Sequence, residues 1–305
     1  MKKKIILTGG GTAGHVMPNV ALIPYLRKDG WQIYYVGSRN GIEKSIIADS
    51  NVQFYGITSG KLRRYFSWRN FTDFFKVAFG VVMAFTVLVR IKPSLIFSKG
   101  GYVSVPVAVA AFLLRIKIIT HESDLSFGLA TKIVARLAEQ VWVAFAETCE
   151  IYPHAHYTSL PIRDDLYLGE RSRGFALCNF KSDRTTLLIM GGSLGSQRLN
   201  KTVDAILDEL VKTFQVVHIV GSGNASTFKH SRYCVFSYLG DDFKHVLSIA
   251  DLVCSRAGAG SIFEYLFLHK PMLLIPLDAG SRGDQIQNAA CFEKKGYAIS
   301  LPEKN

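Results

Sequence analysis

The sequence predicts an α/β protein built from two Rossmann-like domains that face one cleft. Three observations lead to this prediction. A glycine-rich turn follows a short apolar strand twice, at Gly9–His15 and again at Gly191–Ser196. Short β-rich runs alternate with longer helical patterns in both halves of the chain, which is typical of parallel βαβ units. With 305 residues, the chain is long enough for two domains that each bury a core.

The predicted strands divide into two series. The first series is Ile5–Thr8, Gln32–Val36, Gln53–Gly56, Leu95–Ser98, Lys117–Thr120 and Gln140–Val143. The second series is Leu187–Met190, Val216–Val220, Leu252–Cys254, Met272–Pro276 and Ala298–Leu301. They meet in a polar stretch, Pro161–Arg184, where we place the boundary at Pro161. The predicted domains are therefore residues 1–161 and residues 162–305.

The two halves also form a weak structural repeat. Ser98–Gly101 follows a strand in the first half, and Ser255–Gly258 follows a strand in the second half. Ligands of open α/β sheets bind beyond the carboxyl ends of the strands, and each of these turns lies at such an end. The sequence therefore predicts a site in the cleft between the domains.

The first turn, Gly9–His15, fits the dinucleotide pattern G-x-G-x-x-G, but the match is weak. A dinucleotide site needs an acidic residue at the end of the second strand, and the first carboxylate after that strand is Glu43. Backbone N–H groups at a helix N-terminus favour phosphate or an oxyanion, although a tight turn without a ligand has the same sequence. His15 is either a general base for a hydroxyl nucleophile or a residue that only caps the helix.

A second group of residues has the pattern of a nucleotide-sugar site. The small-residue turn Ser255–Gly260 runs into a helix with Glu264 one turn inside it, so diphosphate at the turn brings ribose hydroxyls near this carboxylate. Asp284 and Gln285 follow the strand that ends at Pro276 and are placed to hydrogen-bond sugar hydroxyls. Each feature alone is ordinary loop chemistry, but their order on a two-domain frame makes them specific.

Composition restricts the partners. The formal net charge of +12 and the pI near 9.5 favour nucleic acid, an anionic membrane surface or phosphorylated substrates. No dense basic run with interleaved stacking aromatics resembles a nucleic-acid module, so nucleic acid is not an expected partner. The five cysteines are widely spaced, which predicts reduced thiols in a cytoplasmic protein and no metal site. Only Ile5–Leu7 is apolar before the first turn, so no signal peptide is expected.

The segment Tyr65–Val89 differs from the rest of the chain. Between Leu62 and Phe75, aromatic residues are set among Lys and Arg residues, and we favour contact of this part with a membrane surface. After Lys76 we favour a helix that packs on the sheet and presents a basic face to solvent. The uncharged run Val77–Val89 has 13 residues, which is too short to span a bilayer.

Seven motifs occur in the order and spacing of one family. They are Gly9–His15, Ser98–Ser104, His121–Asp124, Pro161–Arg163, Gly191–Gly195, Arg256–Glu264 and Gly283–Gln285. On these motifs the chain resembles the MurG family, the membrane-associated glycosyltransferases of bacterial peptidoglycan synthesis. The resemblance implies a GT-B fold and transfer of N-acetylglucosamine from UDP-GlcNAc to the MurNAc 4-hydroxyl of lipid I, giving lipid II for cell-wall growth and division. It also implies a peripheral location on the cytoplasmic face of the membrane, with other cell-wall enzymes as neighbours.

The resemblance assigns roles to individual residues. Thr12, Ala13 and Gly14 lie at the donor and acceptor face, with His15 as the candidate base. Gly240 falls where the backbone of the family contacts uracil. The residues implied to contact the nucleotide sugar, with Glu264 on the ribose, are Arg163, Ser193, Ala259, Gly260, Ser261, Ile262, Phe263, Glu264 and Gln285.

Two features depart from the family pattern. Many members have His-Glu-Gln-Asn where this chain has His121-Glu122-Ser123-Asp124. An amide both donates and accepts hydrogen bonds, whereas an ionised Asp124 only accepts, so this residue is expected to contact the sugar differently or to act as a second base. The family usually continues beyond the position of Asn305 through helices that pack across both domains, so we expect a truncated C-terminal domain.

The expected reaction is a single displacement at the anomeric carbon that inverts its configuration. His15 removes the proton of the attacking hydroxyl, while Ser193, the amides of Gly191–Gly195 and the turn before Glu264 stabilise the diphosphate charge. No D-x-D sequence occurs, and helix N-termini supply this stabilisation, so we expect no metal and no cofactor. The alternatives are a UDP-sugar epimerase, a lipid glucosyltransferase with another acceptor, and a noncatalytic membrane-bound scaffold.

Overall fold

The computed structural model describes residues 3–60, 68–192, 195–278 and 283–303, with the backbone alone at residues 68–72. The chain divides into two compact units, Met1–Arg163 and Asp164–Asn305. Ser193 and the first part of the predicted membrane segment, residues 62–67, lie outside the described residues.

Unit 1 is built on a parallel sheet of seven strands. The strands are β1 (Lys4–Thr8), β2 (Gln32–Ser38), β3 (Gln53–Ile57), β4 (Leu95–Ser98), β5 (Lys117–Glu122), β6 (Gln140–Val143) and β7 (Ala155–Tyr157). Their order in the sheet is β3-β2-β1-β4-β5-β6-β7. The central strands are apolar on both faces because helices cover both sides of the sheet.

Six helices connect these strands. They are α1 (Ala13–Lys28), α2 (Glu43–Ala48), α3 (Trp68–Ile91), α4 (Ser104–Leu113), α5 (Leu129–Ala135) and α6 (Thr148–Ile151). Helices α1 and α2 pack on the face that carries Leu7, whereas α3, α4 and α5 pack on the face that carries Ile6. Neighbouring residues of β1 thus point to opposite layers, as the period of two in a strand requires.

Unit 2 repeats this architecture with six parallel strands. The strands are β8 (Thr186–Met190), β9 (Gln215–Ile219), β10 (Tyr233–Phe236), β11 (Leu252–Ser255), β12 (Met272–Leu274) and β13 (Ala298–Ser300), in the order β10-β9-β8-β11-β12-β13. A short 3-10 helix, Asp164–Leu168, precedes them. The α-helices are α7 (Arg171–Cys178), α8 (Gln197–Thr213), α9 (Phe243–Ile249), α10 (Ala259–Phe267) and α11 (Asp284–Lys294). The prediction of two Rossmann-like α/β units is confirmed.

Each sheet reverses its strand order at its first strand. In unit 1, β1 lies between β2 and β4, and Thr8 is paired with Ser98. In unit 2, β8 lies between β9 and β11, and Met190 is paired with Ser255. Ligands of doubly wound sheets bind in the crevice that opens at this point. Each glycine-rich turn therefore adjoins the loop after the fourth strand of its own unit.

Helix α3 packs on the sheet of unit 1 but presents an apolar face to solvent. Its buried residues, Ala84, Leu88 and Ile91, belong to the core. The exposed large apolar residues on it are Phe74, Phe75, Phe79, Val82, Phe85 and Val89. The expectation of a basic solvent face after Lys76 is wrong, because the positions that face solvent carry these side chains instead.

The length of α3 also exceeds the expectation. The stretch Asp73–Ile91 has 19 residues and is apolar enough to cross a membrane by length and composition, and 22% of its most apolar window is buried. The estimate from Val77–Val89 counted only uncharged residues and missed the contribution of Phe74 and Phe75, which flank Lys76. One side of α3 belongs to the core of unit 1, so the helix is part of that unit.

Two strands were missed by the sequence prediction. Strand β7 has three residues, of which only Ala155 is buried, so it lacks the apolar alternation that indicates a strand. Strand β10, Tyr233–Phe236, follows β9 through a loop and not through a helix, so it breaks the βαβ spacing on which the prediction relied. Both strands lie at sheet edges, where less burial is needed to hold them.

Candidate active site

The first glycine-rich turn leads directly into α1. Gly11 has φ of +87°, a conformation that favours glycine, and Thr12 is the extended N-cap residue before Ala13. The Thr12 hydroxyl makes no cap bond to the backbone and instead lies 2.9 Å from Nδ1 of His15. The His15 ring faces the loop after β4, because a Cβ added at Gly100 would lie 3.7 Å from its Cδ2 atom. His15 therefore lies at the switch point of unit 1, with one ring nitrogen held by Thr12.

A carboxylate of the protein itself fills part of this turn. Glu43, at the start of α2, is fully buried and accepts hydrogen bonds from the backbone N–H groups of Gly11, at 3.2 Å, and Ser38, at 2.7 Å. Gly10 and Gly41 pack against it so closely that a Cβ at either position would collide with the carboxylate. Glu43 thus accepts a hydrogen bond from a backbone N–H group of the turn, whereas the sequence predicted that an anionic ligand binds these N–H groups. The sequence feature that points to Glu43 is its position as the first acidic residue after β2.

A buried lysine links the loops after β4 and β5. Lys99 is 1% exposed, and its Nζ lies 2.6 Å from Nδ1 of His121 and 2.7 Å from Oγ of Ser123. Nε2 of His121 donates to the carbonyl of Ser159 at 2.8 Å, which leaves Nδ1 as the acceptor of the lysine proton. Burial lowers the pKa of Lys99 to about 7, although the charges of Glu122 and Asp124 oppose this shift.

The same cluster keeps His121 neutral. Burial and the neighbouring Lys99 charge hold the pKa of His121 well below its ordinary value. The Glu122 carboxylate accepts hydrogen bonds from the backbone N–H groups of Ser123, Asp124 and Gly128, so it closes the loop that carries Asp124. Since β4 lies between β1 and β5, the Lys99 loop separates the His15 turn from the Asp124 loop.

The second glycine-rich turn leads into α8 in the same way. Gly195 has φ of +75° and packs against the backbone of Val220, so a Cβ has no room there. Ser196 is the N-cap of α8, and its hydroxyl accepts a hydrogen bond from Leu199 N–H at 3.4 Å. Ser193, the predicted contact of the nucleotide sugar in this turn, lies outside the described residues.

A buried arginine joins this turn to its neighbours. Arg256 is 6% exposed and follows β11 as Lys99 follows β4. Its Nη1 donates to the carbonyl of Ile275 at 3.1 Å, and its Nη2 donates to Oγ of Ser196 and to Oε1 of Glu303, both at 2.7 Å. Its Nε has no hydrogen-bond partner among the described residues. This cation therefore lies directly beside the turn where diphosphate is expected.

Helix α10 carries most of the residues that the resemblance assigns to the nucleotide sugar. Gly258 is its N-cap, Ala259 is its first residue and is buried, and Gly260, Ser261 and Glu264 are half-buried. Ile262 and Phe263 differ from these because their side chains are buried, with the Phe263 ring packed on Phe292. In this structure only their backbone is left for a ligand.

The remaining predicted residues lie on separate loops. Gln285 is in the first turn of α11, and its side-chain oxygen accepts a hydrogen bond from Leu277 N–H at 3.0 Å. Gly240 is exposed in the loop between β10 and α9. Arg163 is half-buried at the last position of unit 1. In unit 2, the turn at Ser196 follows β8, and Arg256 and the start of α10 follow the adjacent strand β11. Gln285 comes after β12, the next strand in the sheet.

A search of the described residues finds no group of three or more His, Cys, Asp and Glu side chains that could hold a metal ion. The arrangement instead offers amides, helix N-termini and Arg256 for an anion in unit 2, and a histidine and carboxylates in unit 1. Such a division suits a negatively charged donor and a hydroxyl acceptor.

Comparison with known families decides the assignment. Residues 5–143 match the glycosyltransferase family 28 N-terminal domain, and residues 186–305 match the glycosyltransferase family 28 C-terminal domain. The chain belongs to glycosyltransferase family 28. Since both family domains are present, it is a glycosyltransferase.

Curated relatives narrow the group within the family. The chain is 48% identical to the UDP-N-acetylglucosamine-N-acetylmuramyl-(pentapeptide) pyrophosphoryl-undecaprenol N-acetylglucosamine transferase of Clostridium perfringens, over 100% of this chain and 87% of the relative. It is 46% identical to the second transferase of this name in Bacillus cereus, over 99% of this chain and 88% of the relative. The resemblance to the MurG family predicted from the motifs is confirmed.

A solved family structure confirms the fold. The crystal structure of Acinetobacter baumannii MurG matches with a TM-score of 0.73, covering 98% of this chain and 86% of that chain at 23% identity. The predicted GT-B fold class is confirmed at this level.

Sequence reasoning missed three residues at the switch points of this family 28 enzyme, namely Glu43, Lys99 and Arg256. Lys99 and Arg256 were visible in the repeated turns Ser98–Gly101 and Ser255–Gly258, but nothing in the sequence indicated that these cations are buried.

Proposed function

We propose that this protein transfers N-acetylglucosamine from UDP-GlcNAc to lipid I, the undecaprenyl-diphosphate-linked acceptor, and so forms lipid II. The observation that carries this proposal is 48% identity over the whole chain to a curated transferase of this name. The matched region covers 100% of this chain, so it includes both units.

Unit 2 is the proposed donor side. The N-terminus of α8 and the buried cation of Arg256 offer an anion-binding surface for the diphosphate of UDP-GlcNAc. The N-terminus of α10 adds further amides from the loop after β11, and Glu264 binds the ribose hydroxyls. Gln285, Gly240 and the backbone of Ala259–Phe263 complete the donor contacts, together with Arg163 and Ser193.

Unit 1 is the proposed acceptor side, with His15 as the catalytic base. The MurNAc 4-hydroxyl attacks C1 of N-acetylglucosamine, the bond from C1 to the β-phosphate oxygen breaks, and the electron pair leaves with UDP. Nε2 of His15 takes the hydroxyl proton, since Nδ1 carries the ring proton and donates it to the Thr12 hydroxyl at 2.9 Å. Attack opposite the leaving group inverts the configuration.

Asp124 completes the proposed acceptor side beside Thr12, Ala13 and Gly14. As a carboxylate, it accepts a hydrogen bond from a sugar hydroxyl or acts as a second base. An Asp124→Asn variant separates these roles: an asparagine keeps a hydrogen bond to the sugar but accepts no proton. We expect a raised acceptor KM if Asp124 only binds and a lowered kcat at unchanged KM if it is a base.

Calorimetric titration with UDP-GlcNAc in the presence of a metal chelator tests the donor site. We expect selective binding over UDP-glucose and NAD, and weaker binding by Glu264→Ala. His15→Ala should keep the donor affinity and lose turnover with lipid I, because the base acts only in the chemical step. Interconversion of UDP-GlcNAc without an acceptor would instead identify an epimerase, and unchanged behaviour of both variants would identify a noncatalytic scaffold.

We also infer that the exposed apolar face of α3 rests on the cytoplasmic surface of the membrane and holds the enzyme there as a peripheral protein. The face carries Phe79, 56% exposed, and Val82, 60% exposed. An apolar patch of this kind on a basic protein suits an anionic lipid surface. The side chains of Trp68 and Phe71, which belong to the original membrane prediction, lie outside the described side chains.

Sedimentation with anionic vesicles tests this location. At about 0.5 M salt, which screens the charge attraction, the triple variant Phe79→Ser, Val82→Ser, Phe85→Ser should remain in the supernatant, whereas the wild type should sediment. A matched control carries three serines at exposed apolar positions of unit 2, Ile206→Ser, Val235→Ser and Ile299→Ser. Equal sedimentation of both triple variants with the wild type would contradict the inference.

A further inference from the structure

Both units hold a buried cation at the same place in the fold. Lys99 follows β4 and Arg256 follows β11, and both side chains are buried next to the glycine-rich turn of their unit. The backbone holds Lys99 beside the first strand of its unit, because Lys99 N–H donates to the Thr8 carbonyl at the end of β1 at 2.8 Å. Each unit has a buried cation at its switch point, which indicates that a positive potential is required at both places.

The two cations differ in how their charge is compensated. Arg256 is hydrogen-bonded to a carboxylate, Glu303, at 2.7 Å, and a guanidinium stays charged at any working pH. Among the residues that the structure describes, the hydrogen-bond partners of Lys99 are the neutral His121 and Ser123. The charges of Glu122 and Asp124 act on it at longer range, and burial lowers its pKa to about 7. Lys99 therefore changes its charge in the physiological pH range, whereas Arg256 does not.

The position of Lys99 connects it to the acceptor side. Its loop separates the turn that carries His15 from the loop that carries Asp124, and the Gly100 backbone faces the His15 ring. Ser123, which lies where many family members have glutamine, supplies the hydroxyl that accepts a hydrogen bond from Lys99. The serine and the aspartate of this chain thus form a local environment that suits a protonated lysine.

We propose that Lys99 is a positioning residue for the transfer reaction, whose buried ammonium fixes the Ser123–Asp124 loop against the His15 turn. This proposal rests on the acceptor-side role proposed for His15 and Asp124. The protonated amine donates to both His121 and Ser123 and attracts the Asp124 carboxylate. Loss of its proton removes this attraction, so the loop is held less firmly. The titratable and charged groups around Lys99 are His121 and Glu122 of β5, Asp124 after it, and His15 of α1.

A Lys99→Met variant tests the proposal, since methionine fills much of the same volume without the amine. Activity is expressed per UDP-GlcNAc-binding site, counted by calorimetry, so that misfolded protein does not contribute. We expect kcat/KM for the lipid acceptor to fall roughly tenfold or more, because small displacements of reacting groups have large effects. The Kd for UDP-GlcNAc should change less than about twofold, because the donor residues lie in unit 2. Lys117→Met, at a lysine of the same unit that is largely exposed, is the matched control.

The pH profile separates positioning from a purely structural role. We expect the ratio of wild-type kcat/KM to Lys99→Met kcat/KM for the acceptor to fall as the pH rises through about 7, the pKa of Lys99. In Asp124→Asn this decline should move to lower pH, because the carboxylate that favours the ammonium is gone. A wild type and a Lys99→Met variant with parallel profiles and equal turnover per binding site would overturn the proposal.

A Ser123→Ala variant keeps the test informative if Lys99→Met does not fold. It removes one hydrogen bond of the amine and leaves its charge, so acceptor kcat/KM should fall by a smaller factor while the pH-dependent decline is retained. An acceptor kcat/KM equal to that of the wild type, or loss of the pH-dependent decline, in Ser123→Ala would count against the proposal. A wild type that does not bind UDP-GlcNAc would instead count against the proposed function.

Discussion

Lys99 makes the folded protein less stable at neutral pH than at alkaline pH. Its pKa is about 7 in the folded state and 10.5 in the unfolded chain. Between these values the unfolded chain binds a proton that the folded protein does not bind, so the free energy of unfolding rises with pH from about 7 to about 10. Raised pKa values of buried tyrosines such as Tyr35 act in the opposite direction, but only above pH 10.

We predict that Lys99→Met flattens this rise. The slope should fall by up to about 1.4 kcal/mol per pH unit, the value for one proton, between pH 7.5 and pH 9.5. Urea denaturation at four pH values in this range measures it, with Lys117→Met as the control. A slope equal to that of the wild type would show that the buried amine does not titrate as its surroundings indicate.

The residues that escaped sequence reasoning share one physical property. Residue type and spacing pointed to His15 and Glu264, and the resemblance to the family pointed to Thr12; these assignments stay predictions. The sequence did not identify Glu43 or Lys99 as part of a site, because their importance comes from burial between distant segments. Lys99 meets its partner His121 across 22 positions, and Glu43 meets Gly11 across 32 positions. Contacts of this range depend on which strands are neighbours, and periodicity alone does not contain that information.

Among the secondary-structure elements, most strands were predictable, including the edge strands β3 and β13, whereas the edge strands β7 and β10 were not. Central strands such as β1 and β8 are short apolar runs followed by glycine, a pattern that parallel sheets buried on both faces produce. The edge strands β7 and β10 carry exposed residues and lack the pattern. Helix α3 was predictable as a helix on the sheet. Its apolar solvent face was not predictable, because composition alone does not show which side of a helix faces solvent.

The glycine-rich turn of unit 2 provides a prediction at the level of an element. Gly192 and Gly195 both have positive φ, at +90° and +75°. A Cβ at Gly192 has no neighbour within 4 Å among the described residues, whereas a Cβ at Gly195 would collide with the backbone of Val220 and Gly221. Gly192→Ala should therefore lower the free energy of unfolding by about 1 kcal/mol, from conformational strain alone. Gly195→Ala should lower it by on the order of 3 kcal/mol, because the turn must move as well.

Chemical denaturation compares the free energies of unfolding of the two variants. Gly192→Ala serves as the control for conformational strain. UDP-GlcNAc affinity should also fall in Gly195→Ala, because a shifted turn no longer presents the N-terminus of α8 to the diphosphate. Equal destabilisation by both substitutions would mean that the close packing on Val220 does not restrict the turn.

For the whole molecule, the doubled fold separates two electrostatic tasks. Unit 2 pairs Arg256 with Glu303, so this cation stays charged at any working pH, and the N-terminus of α8 beside it suits a diphosphate that leaves with negative charge. Unit 1 places carboxylates on its own amides, at Glu43 and Glu122, so its loops are closed by the protein itself. A hydroxyl acceptor needs a base and firm positioning, and this second arrangement supplies both. The same architecture thus supports a charged donor in one unit and a neutral nucleophile in the other.

The proposed membrane attachment combines the apolar face of α3 with the net charge of the chain, and the two contributions are expected to respond differently to salt. The charge of +12 attracts anionic lipid, and mobile ions screen this attraction over about 10 Å at 0.1 M salt. Burial of Phe79, Val82 and Phe85 in the lipid interface is largely insensitive to salt. Raising the salt from about 0.05 M to about 0.5 M should therefore weaken binding to anionic vesicles by roughly tenfold and leave a residual affinity. The triple serine variant of α3 should lose that residual affinity and retain the salt-sensitive part, as vesicle sedimentation across the salt series measures. Full release of the wild type at high salt would show that charge alone holds the protein on the membrane.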